Sequence, residues 1–348
     1  MTPPVALREQ VHRKSVKKGF EFTVLVVGES GTGRTSLINC LFKTNIRSKK
    51  ENGNKRPDKV ELVTHTVEIE ERGVKLKLTV VDAEGFGDGL DSTQDCEPIV
   101  HYIDRQFEKY FEYENGLNRR QIQDSRVHCC FYFISPDNWS LKPLDVQFMK
   151  SLHRKVNIIP LIAKADMLSP LERDEMKKRI LKDIQTHEIS LYSIPDDFDE
   201  DSDYRDSVVQ LKAAMPFAIS ASLKSQEMRG RMVPVRTYPW GTHEVENGDH
   251  SDFVRLKSLL ITNMQDLREV THELHYENFR AQRMAGQRFA STSTIMETSI
   301  DDDDGSERER VLRAKEQEIQ RMTEMLRLYE EKLQQQQHQQ QQMHQFSQ

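Results

Sequence analysis

A glycine-rich stretch near the start of the chain constrains its fold more than any other feature. The apolar run from Val24 to Val27 leads into the sequence Gly28-Glu29-Ser30-Gly31-Thr32-Gly33-Arg34-Thr35-Ser36. Glycines at this spacing allow backbone N–H groups to curve around a diphosphate, and the N-terminus of a following helix adds positive potential. The stretch therefore predicts a strand, a phosphate-binding loop and a helix. A glycine-rich turn that binds nothing is the alternative interpretation of this stretch taken alone.

One position in this loop departs from the pattern G-x-x-x-x-G-K-[ST]. Arg34 stands where a lysine reaches the β- and γ-phosphates, whereas Thr35 keeps the hydroxyl that ligates Mg²⁺. A guanidinium is planar and bulkier than an ammonium group, so it is not an equivalent point charge on the phosphates. The loop thus predicts nucleotide binding and leaves catalysis in question. The residues expected to contact the phosphates are Gly28, Ser30, Gly31, Gly33, Arg34, Thr35 and Ser36.

A second nucleotide motif follows a predicted β-hairpin. Residues 67–70 and 75–81 alternate as strands joined through residues 71–74. The second strand ends at Asp82-Ala83-Glu84-Gly85, which matches the motif D-x-x-G. There the aspartate holds Mg²⁺ through water and the glycine N–H meets the γ-phosphate. Asp82 and Gly85 are therefore expected in the nucleotide site, with Thr35 and Asp82 as the Mg²⁺ ligands.

A third motif points to guanine. Residues 128–134 and 157–162 are apolar runs that predict buried strands, and the second run leads into Ala163-Lys164-Ala165-Asp166. This resembles the [NTA]-K-x-D guanine box, in which the carboxylate accepts from the N1–H and the exocyclic amine of guanine. Adenine lacks that donor pair, so Lys164 and Asp166 predict GTP or GDP as the ligand. A surface turn is the alternative, but the order of the three motifs favours a nucleotide site.

Helical patterns complete the predicted fold. Amphipathic segments at residues 142–153 and 170–187 lie between the strands, and this alternation predicts an α/β sheet with the nucleotide at the carboxyl edge of its strands. Residues 195–206 read as an acidic loop, and residues 245–283 read as helical. Residues 286–308 are predicted to be a linker, residues 309–335 a short coiled coil with leucine or isoleucine every seventh position, and residues 336–348 a glutamine-rich tail.

Composition narrows the class of protein. The 348 residues carry a net charge of −6, which argues against general nucleic-acid affinity. The four cysteines lack paired metal spacing and indicate a reducing compartment. No apolar run could span a bilayer and the N-terminus lacks the apolar core of a signal peptide, so a cytosolic protein is expected. A basic cluster before the first strand could bind anionic lipid, with a solvated leader as the alternative, and it contains Arg13, Lys14, Lys17 and Lys18.

Taken together, the motifs resemble those of an animal septin. The resemblance rests on residues 28–33, 85–88, 116–120, 126–135 and 163–166, together with Tyr238-Pro239-Trp240-Gly241 and residues 275–280. It covers residues 12–285 and implies a P-loop GTPase fold at residues 21–285, after a basic leader at residues 1–20 that septins use for phosphoinositides. Residues 240–285 would form the septin-specific helical extension.

The resemblance also implies partners and base contacts. A septin joins other septins across its nucleotide pocket and through its terminal helices, building hetero-oligomeric filaments at the cell cortex and cleavage furrow that serve cytokinesis. Arg236 matches a septin residue that packs on guanine, where arginine stacking is physically reasonable. Ala221 lies where septins have a glycine beside the base, and its Cβ is expected to crowd the base.

Departures from the family pattern concern hydrolysis. Lys59 aligns with a threonine of hydrolysing septins, while Thr64 and Thr66 are too close to the strand to replace it. Ala83-Glu84 replaces Thr-Pro, and our hypothesis is that Arg34 and Glu84 pair in the pocket. These departures favour a structural subunit with little or no GTP hydrolysis. An active GTPase switch and a membrane-bound adaptor with an empty pocket remain as alternatives.

Overall fold

A six-stranded sheet forms the centre of the computed structural model, which describes residues 20–43, 59–71, 74–89, 91–116, 123–195, 202–228 and 230–285. The strands run in the order β2-β3-β1-β4-β5-β6, and every pairing is parallel except the β2–β3 hairpin. The predicted mostly parallel α/β sheet is therefore confirmed. The strands are β1 (Phe20–Gly28), β2 (Glu61–Glu71), β3 (Val74–Glu84), β4 (Cys129–Ile134), β5 (Asn157–Ile162) and β6 (Phe217–Ala218).

Helices cover both faces of this sheet because its central strands are apolar on both sides. Along β1, Phe22, Val24 and Val26 belong to one buried cluster, whereas Leu25 and Val27 belong to the other. Successive side chains of a strand point to opposite faces, so this division follows from the strand geometry. The helices are α1 (Arg34–Phe42), α2 (Cys96–Asn115), α3 (Pro143–Leu152), α4 (Pro170–Thr186), α5 (Ser202–Ala214) and α6 (Phe253–Val270).

The predicted helices after β4 and β5 are confirmed as α3 and α4. Three boundaries differ from the predictions. Strand β2 begins at Glu61, whereas the predicted strand begins at residue 67. The acidic segment 195–206 is not a loop throughout, because α5 begins at Ser202. The helix predicted for residues 245–283 begins only at Phe253, where the apolar periodicity starts, and it passes through a π-helical turn, Thr271–Tyr276, before continuing as an α-helix over residues 277–285.

A second, three-stranded antiparallel sheet follows the main sheet and was not predicted. It consists of β7 (Ser225–Met228), β8 (Arg231–Tyr238) and β9 (Gly241–Glu244). Half of its side chains are exposed and only one is buried, so its sequence lacks the long apolar runs that reveal buried strands. This sheet matters for the site because β8 carries Arg236 and Tyr238.

Several predicted segments lie outside the described residues. They are the basic leader with Arg13, Lys14, Lys17 and Lys18, most of the polar loop before β2, and the linker, coiled coil and glutamine-rich tail after residue 285. Among the helices that are described, none has the length and apolar character needed to cross a membrane.

Candidate functional site

The glycine-rich loop between β1 and α1 has the backbone of an anion cradle. Gly31 and Gly33 have φ angles of 82° and 93°, and a Cβ at either position would meet no atom within 4 Å. Gly28 is constrained differently, because a Cβ there would lie 2.6 Å from Cβ of Phe133 on β4. At the first turn of α1, backbone N–H groups have no carbonyl partner within the helix. The loop thus offers donors and open space, as a diphosphate requires.

Polar contacts fasten this loop to its neighbours. The backbone N–H of Ser30 donates to Oδ1 of Asp88 at 3.2 Å, and the Ser30 hydroxyl donates to the same carboxylate. The side chain of Thr32 donates to the carbonyl of Glu29 at 2.8 Å, and the carboxylate of Glu29 pairs with Lys142 before α3. Asp88 lies three residues beyond Gly85, so the segment after β3 is tied directly to the phosphate-binding loop.

Arg34 is directed toward the end of β3. Its Nη1 lies 3.2 Å from Oδ1 of Asp82, and the same nitrogen donates to the carbonyl of Ala83. Arg34 therefore forms its ion pair with Asp82. Our sequence hypothesis, which paired Arg34 with Glu84, is wrong. The reason is position: Asp82 and Glu84 share one face of β3, and Asp82 is the carboxylate within reach of the first residue of α1.

A cavity of about 310 Å³ opens between the glycine-rich loop and the guanine box. Its volume lies in the range typical of small-molecule sites. It brings together predicted residues from four separate parts of the chain. Its lining residues are Gly31, Thr32, Gly33, Ser36, Leu37, Phe133, Ala163, Lys164, Ile219, Ala221 and Arg236.

The guanine box lies at the carboxyl end of β5, where a sharp turn begins. Lys164 has a left-handed conformation with φ of 49°, and a short 3₁₀ helix, Ala165–Met167, follows it. The side chain of Asp166 is only 1% exposed. Nη1 of Arg236 lies 2.9 and 2.8 Å from its two carboxylate oxygens, and the Tyr238 hydroxyl also donates to it. A guanine base would therefore meet a carboxylate that already has two donors.

Histidine and serine side chains lie beside the same end of the cavity. The hydroxyl of Ser220 and Nε2 of His243 are 2.6 Å apart, and the ring of His243 stacks on His250 with a centroid distance of 5.0 Å. Burial lowers the pKa of His243. Partial burial and the hydrogen bond to Asp166 raise the pKa of Tyr238 above its usual value. Both groups are therefore neutral near pH 7.

The structure thus places the predicted residues in two neighbouring groups. Gly31, Gly33, Ser36, Lys164, Ala221 and Arg236 line the large cavity, with Asp166 bonded to Arg236. Arg34, Thr35 and Asp82 instead line a separate cavity of about 20 Å³. Gly28 and Gly85 are backbone positions at the ends of β1 and β3. The Mg²⁺ site at Thr35 and Asp82 stays a prediction.

Comparison with known proteins agrees with this geometry. A family model described as Septin matches residues 18–293. The chain belongs to the septin family. It is 50% identical to Septin-1 of Drosophila melanogaster over 95% of this chain and 94% of that protein, and 51% identical to Septin-2 of Rattus norvegicus over 92% and 87%. A crystal structure of the septin GTPase domain from Chlamydomonas reinhardtii matches with a TM-score of 0.57 and 26% identity, covering 75% of this chain and 98% of that chain.

Membership of the septin family confirms the predicted P-loop GTPase fold and implies a guanine-nucleotide-binding domain in this septin. Sequence reasoning missed several residues of the site, namely Asp88, Tyr238 and His243. Asp88 and Tyr238 lie within segments that carried the family resemblance, so that resemblance was a signal for their importance. No local pattern could have identified their partners, because Ser30 and Asp166 lie 58 and 72 residues away.

Proposed function

We propose that this chain is a structural septin subunit that binds GTP or GDP with little or no hydrolysis. The position of Arg34 carries the proposal. Its guanidinium forms an ion pair with Asp82 and donates to the carbonyl of Ala83, at the smaller cavity. Phosphoryl transfer depends almost entirely on positioning and on stabilising charge at the transferred phosphate. A pocket whose loop cation is held at Asp82 supports binding better than turnover.

The segment before the hairpin supports the same proposal. Lys59, which aligns with the threonine of hydrolysing septins, is exposed. Thr64 and Thr66 lie inside β2, opposite Val81 and Thr79 of β3, whereas the sequence pattern placed them only close to the strand. Because strand pairing fixes both threonines, neither is free to approach a phosphate from a loop. We therefore regard an active GTPase switch as the second candidate function.

The described residues fit a guanine nucleotide. Gly31 and Gly33 leave open space where a diphosphate would lie, and the 310 Å³ cavity leads from them to Lys164 and Arg236. Bound nucleotide would supply phosphate oxygens for the loop and a donor edge for Asp166. To accept hydrogen bonds from guanine, the carboxylate of Asp166 must share or release its hydrogen bonds with Arg236 and Tyr238.

We further propose that this subunit assembles with other septins into hetero-oligomeric filaments at the cell cortex and cleavage furrow, as a scaffold in cytokinesis. Trp240 is 81% exposed and stacks on Tyr238 with a centroid distance of 5.0 Å. Because Tyr238 bonds to Asp166, this aromatic pair adjoins the nucleotide site, and an exposed aromatic pair suits a protein partner. Phosphoinositide contact through the basic leader remains part of the proposal, and no nucleic-acid partner is expected.

The test is nucleotide content in an assembled complex. The chain would be coexpressed with candidate septin partners, purified, denatured and assayed by chromatography for GTP and GDP. A second complex would carry the Asp166→Asn variant of this chain. The nucleotide that this complex lacks, relative to the natural complex, is the nucleotide bound by this subunit. Retained GTP at one equivalent of this chain supports the structural role. A pocket that contains mainly GDP favours the active switch. If the variant complex contains as much nucleotide as the natural complex, this subunit is an empty scaffold.

A matched variant examines hydrolysis directly. Lys59→Thr restores the threonine of hydrolysing septins without touching Arg34. If the missing threonine alone prevents turnover, this variant should convert bound GTP to GDP. If Arg34 prevents it, as we propose, the variant should retain GTP like the natural chain.

A further inference from the structure

The buried ion pair between Arg34 and Asp82 lies where the sequence predicts a metal ion. Nη1 of Arg34 is 3.2 Å from Oδ1 of Asp82, and the two side chains are 9% and 11% exposed. The same nitrogen donates to the carbonyl of Ala83, so an ion pair and a hydrogen bond from adjacent residues of β3 hold the guanidinium. The carboxylate that would face Mg²⁺ therefore already faces a positive charge.

The space at this position is too small for a hydrated metal. The cavity that Thr35 and Asp82 share with Arg34 and His65 has a volume of about 20 Å³. A single water needs roughly 10–15 Å³ on this measure. Mg²⁺ demands a near-octahedral shell and usually keeps several waters. The residues present therefore do not fit Mg²⁺ while Arg34 occupies this position.

Arginine suits this role better than the usual lysine. The ammonium group of a lysine is a compact point charge. If it moved to a phosphate, it would no longer neutralise Asp82, and a metal ion could bind there. A guanidinium instead has five donors in a planar fork. Nη1 of Arg34 bonds to β3, while its Nε and Nη2 have no hydrogen-bond partner among the described residues. Guanidinium groups bind phosphate well through such paired donors. One side chain can thus neutralise Asp82 and still offer donors to an anion.

Several carboxylates lie close to the glycine-rich loop. Asp82 and Glu84 lie on the same face of β3, and the carboxylate of Asp88 bonds to Ser30 of the loop. A diphosphate brought next to these carboxylates would be repelled unless a cation neutralised part of their charge. Arg34 supplies one such positive charge, beside Asp82.

We infer that Arg34 replaces Mg²⁺ in this septin, so that guanine nucleotide binds equally well with and without the metal. The inference rests on the proposed nucleotide binding, and it adds that the pocket does not depend on a divalent cation. It concerns this chain in particular, because it follows from the arginine at position 34.

Nucleotide titrations in two buffers test the inference. The full chain, the Arg34→Lys variant and the Arg34→Met variant would be titrated with fluorescent N-methylanthraniloyl GDP, once with excess Mg²⁺ and once with EDTA. The natural chain should show the same Kd within about twofold in both buffers. The lysine variant should bind at least about tenfold more tightly with Mg²⁺, a difference of roughly 1.4 kcal/mol. The methionine variant should bind weakly in EDTA, because it lacks both cations.

A second measurement follows the metal itself. Mn²⁺ added with GDP should remain free in the electron paramagnetic resonance spectrum of the natural chain, and its signal should fall with the lysine variant. Mg²⁺-dependent binding or Mn²⁺ uptake by the natural chain would overturn the inference and leave the proposed function intact. Absence of nucleotide binding by the natural chain in both buffers would overturn both. Thermal unfolding of each variant separates these results from a failure to fold.

Discussion

The buried ion pair between Asp124 and Arg126 provides the sharpest test of the fold. It lies just before β4. Nε and Nη2 of Arg126 each lie 2.9 Å from a different oxygen of Asp124, so the two groups meet through paired hydrogen bonds. The side chains are 10% and 5% exposed. His128, which is fully buried, adds a further hydrogen bond to Asp124 at 3.1 Å. We expect Asp124→Asn to destabilise the protein strongly.

The magnitude follows from the charge that this substitution leaves behind. Removing one partner of a buried ion pair typically costs about 3–5 kcal/mol, because the other charge loses its compensation. Arg126 would keep its contact with the ring of Tyr110, 3.8 Å from the centroid, and its bond to His272 at 3.0 Å. We therefore expect a loss of stability at the lower end of this range, about 3 kcal/mol. This loss corresponds to a fall of about 6 °C in Tm for a domain of this size.

Two control variants define the origin of that loss. Asp124→Leu combined with Arg126→Met removes both charges, and it should be more stable than either single variant because no buried charge remains unpaired. Glu175→Gln breaks an exposed ion pair with Arg179, in which the side chain of Glu175 is 56% exposed and that of Arg179 is 49% exposed. This variant should cost no more than about 0.5 kcal/mol. The assay is chemical denaturation monitored by circular dichroism.

The pH dependence supplies an independent check. Burial alone would raise the pKa of Asp124, but hydrogen bonds from Arg126 and His128 hold it well below its usual value. A carboxyl whose pKa is lower in the folded state stabilises the protein above its unfolded pKa, near 3.9, and loses that contribution as the pH falls further. The natural chain should therefore begin to lose its advantage over Asp124→Asn as the pH falls below about 4, and the loss should continue as the pH falls toward the lower folded pKa. A loss below about 1 kcal/mol at pH 7, with no rescue by the double variant, would refute the reasoning.

Three further predictions concern the nucleotide site. Gly28→Ala should destabilise the protein by about 3 kcal/mol because its Cβ would clash with Phe133, whereas Gly31→Ala, with open space, should cost about 1 kcal/mol in denaturation. Asp166→Asn should shift the preference from GDP to xanthosine diphosphate at least about tenfold in competition binding, because an amide donates where the carboxylate accepts. Ala221→Gly should tighten GDP binding in fluorescence titration if the methyl group crowds the base, and an unchanged Kd would contradict this.

The strands of the main sheet were predictable because each carries a local signal. β4 and β5 are continuous apolar runs, and every one of their residues is buried. In the hairpin, the edge strand β2 alternates exposed and half-buried residues from Thr64 to Ile69, as a strand with one face toward solvent does. The three nucleotide motifs could be ordered in space as well, because parallel strands place their carboxyl ends at one edge. The sequence therefore sufficed for the fold class and for most of the cavity lining.

The partner of Arg34 could not be predicted from the same information. Asp82 and Glu84 alternate to the same face of β3, so the sequence offers two carboxylates in equivalent settings. Only the distance between α1 and the end of β3 decides between them. Similarly, nothing local indicates that Arg236 bonds to Asp166, because the second sheet that carries Arg236 has only one buried side chain in its strands.

The hydrogen bonds of Asn157 show that the helical extension is part of the same fold as the nucleotide site. The amide nitrogen of this buried residue, at the start of β5, donates to the carbonyls of His128 and Leu267 and to the Thr271 hydroxyl at 2.9–3.1 Å. Its Oδ1 lies 3.1 Å from Nε2 of His275. Three of these four partners belong to α6 and the π-helical turn. Each buried polar group left unpaired costs about 1–3 kcal/mol, so the strand that carries the guanine box depends on the extension for its stability.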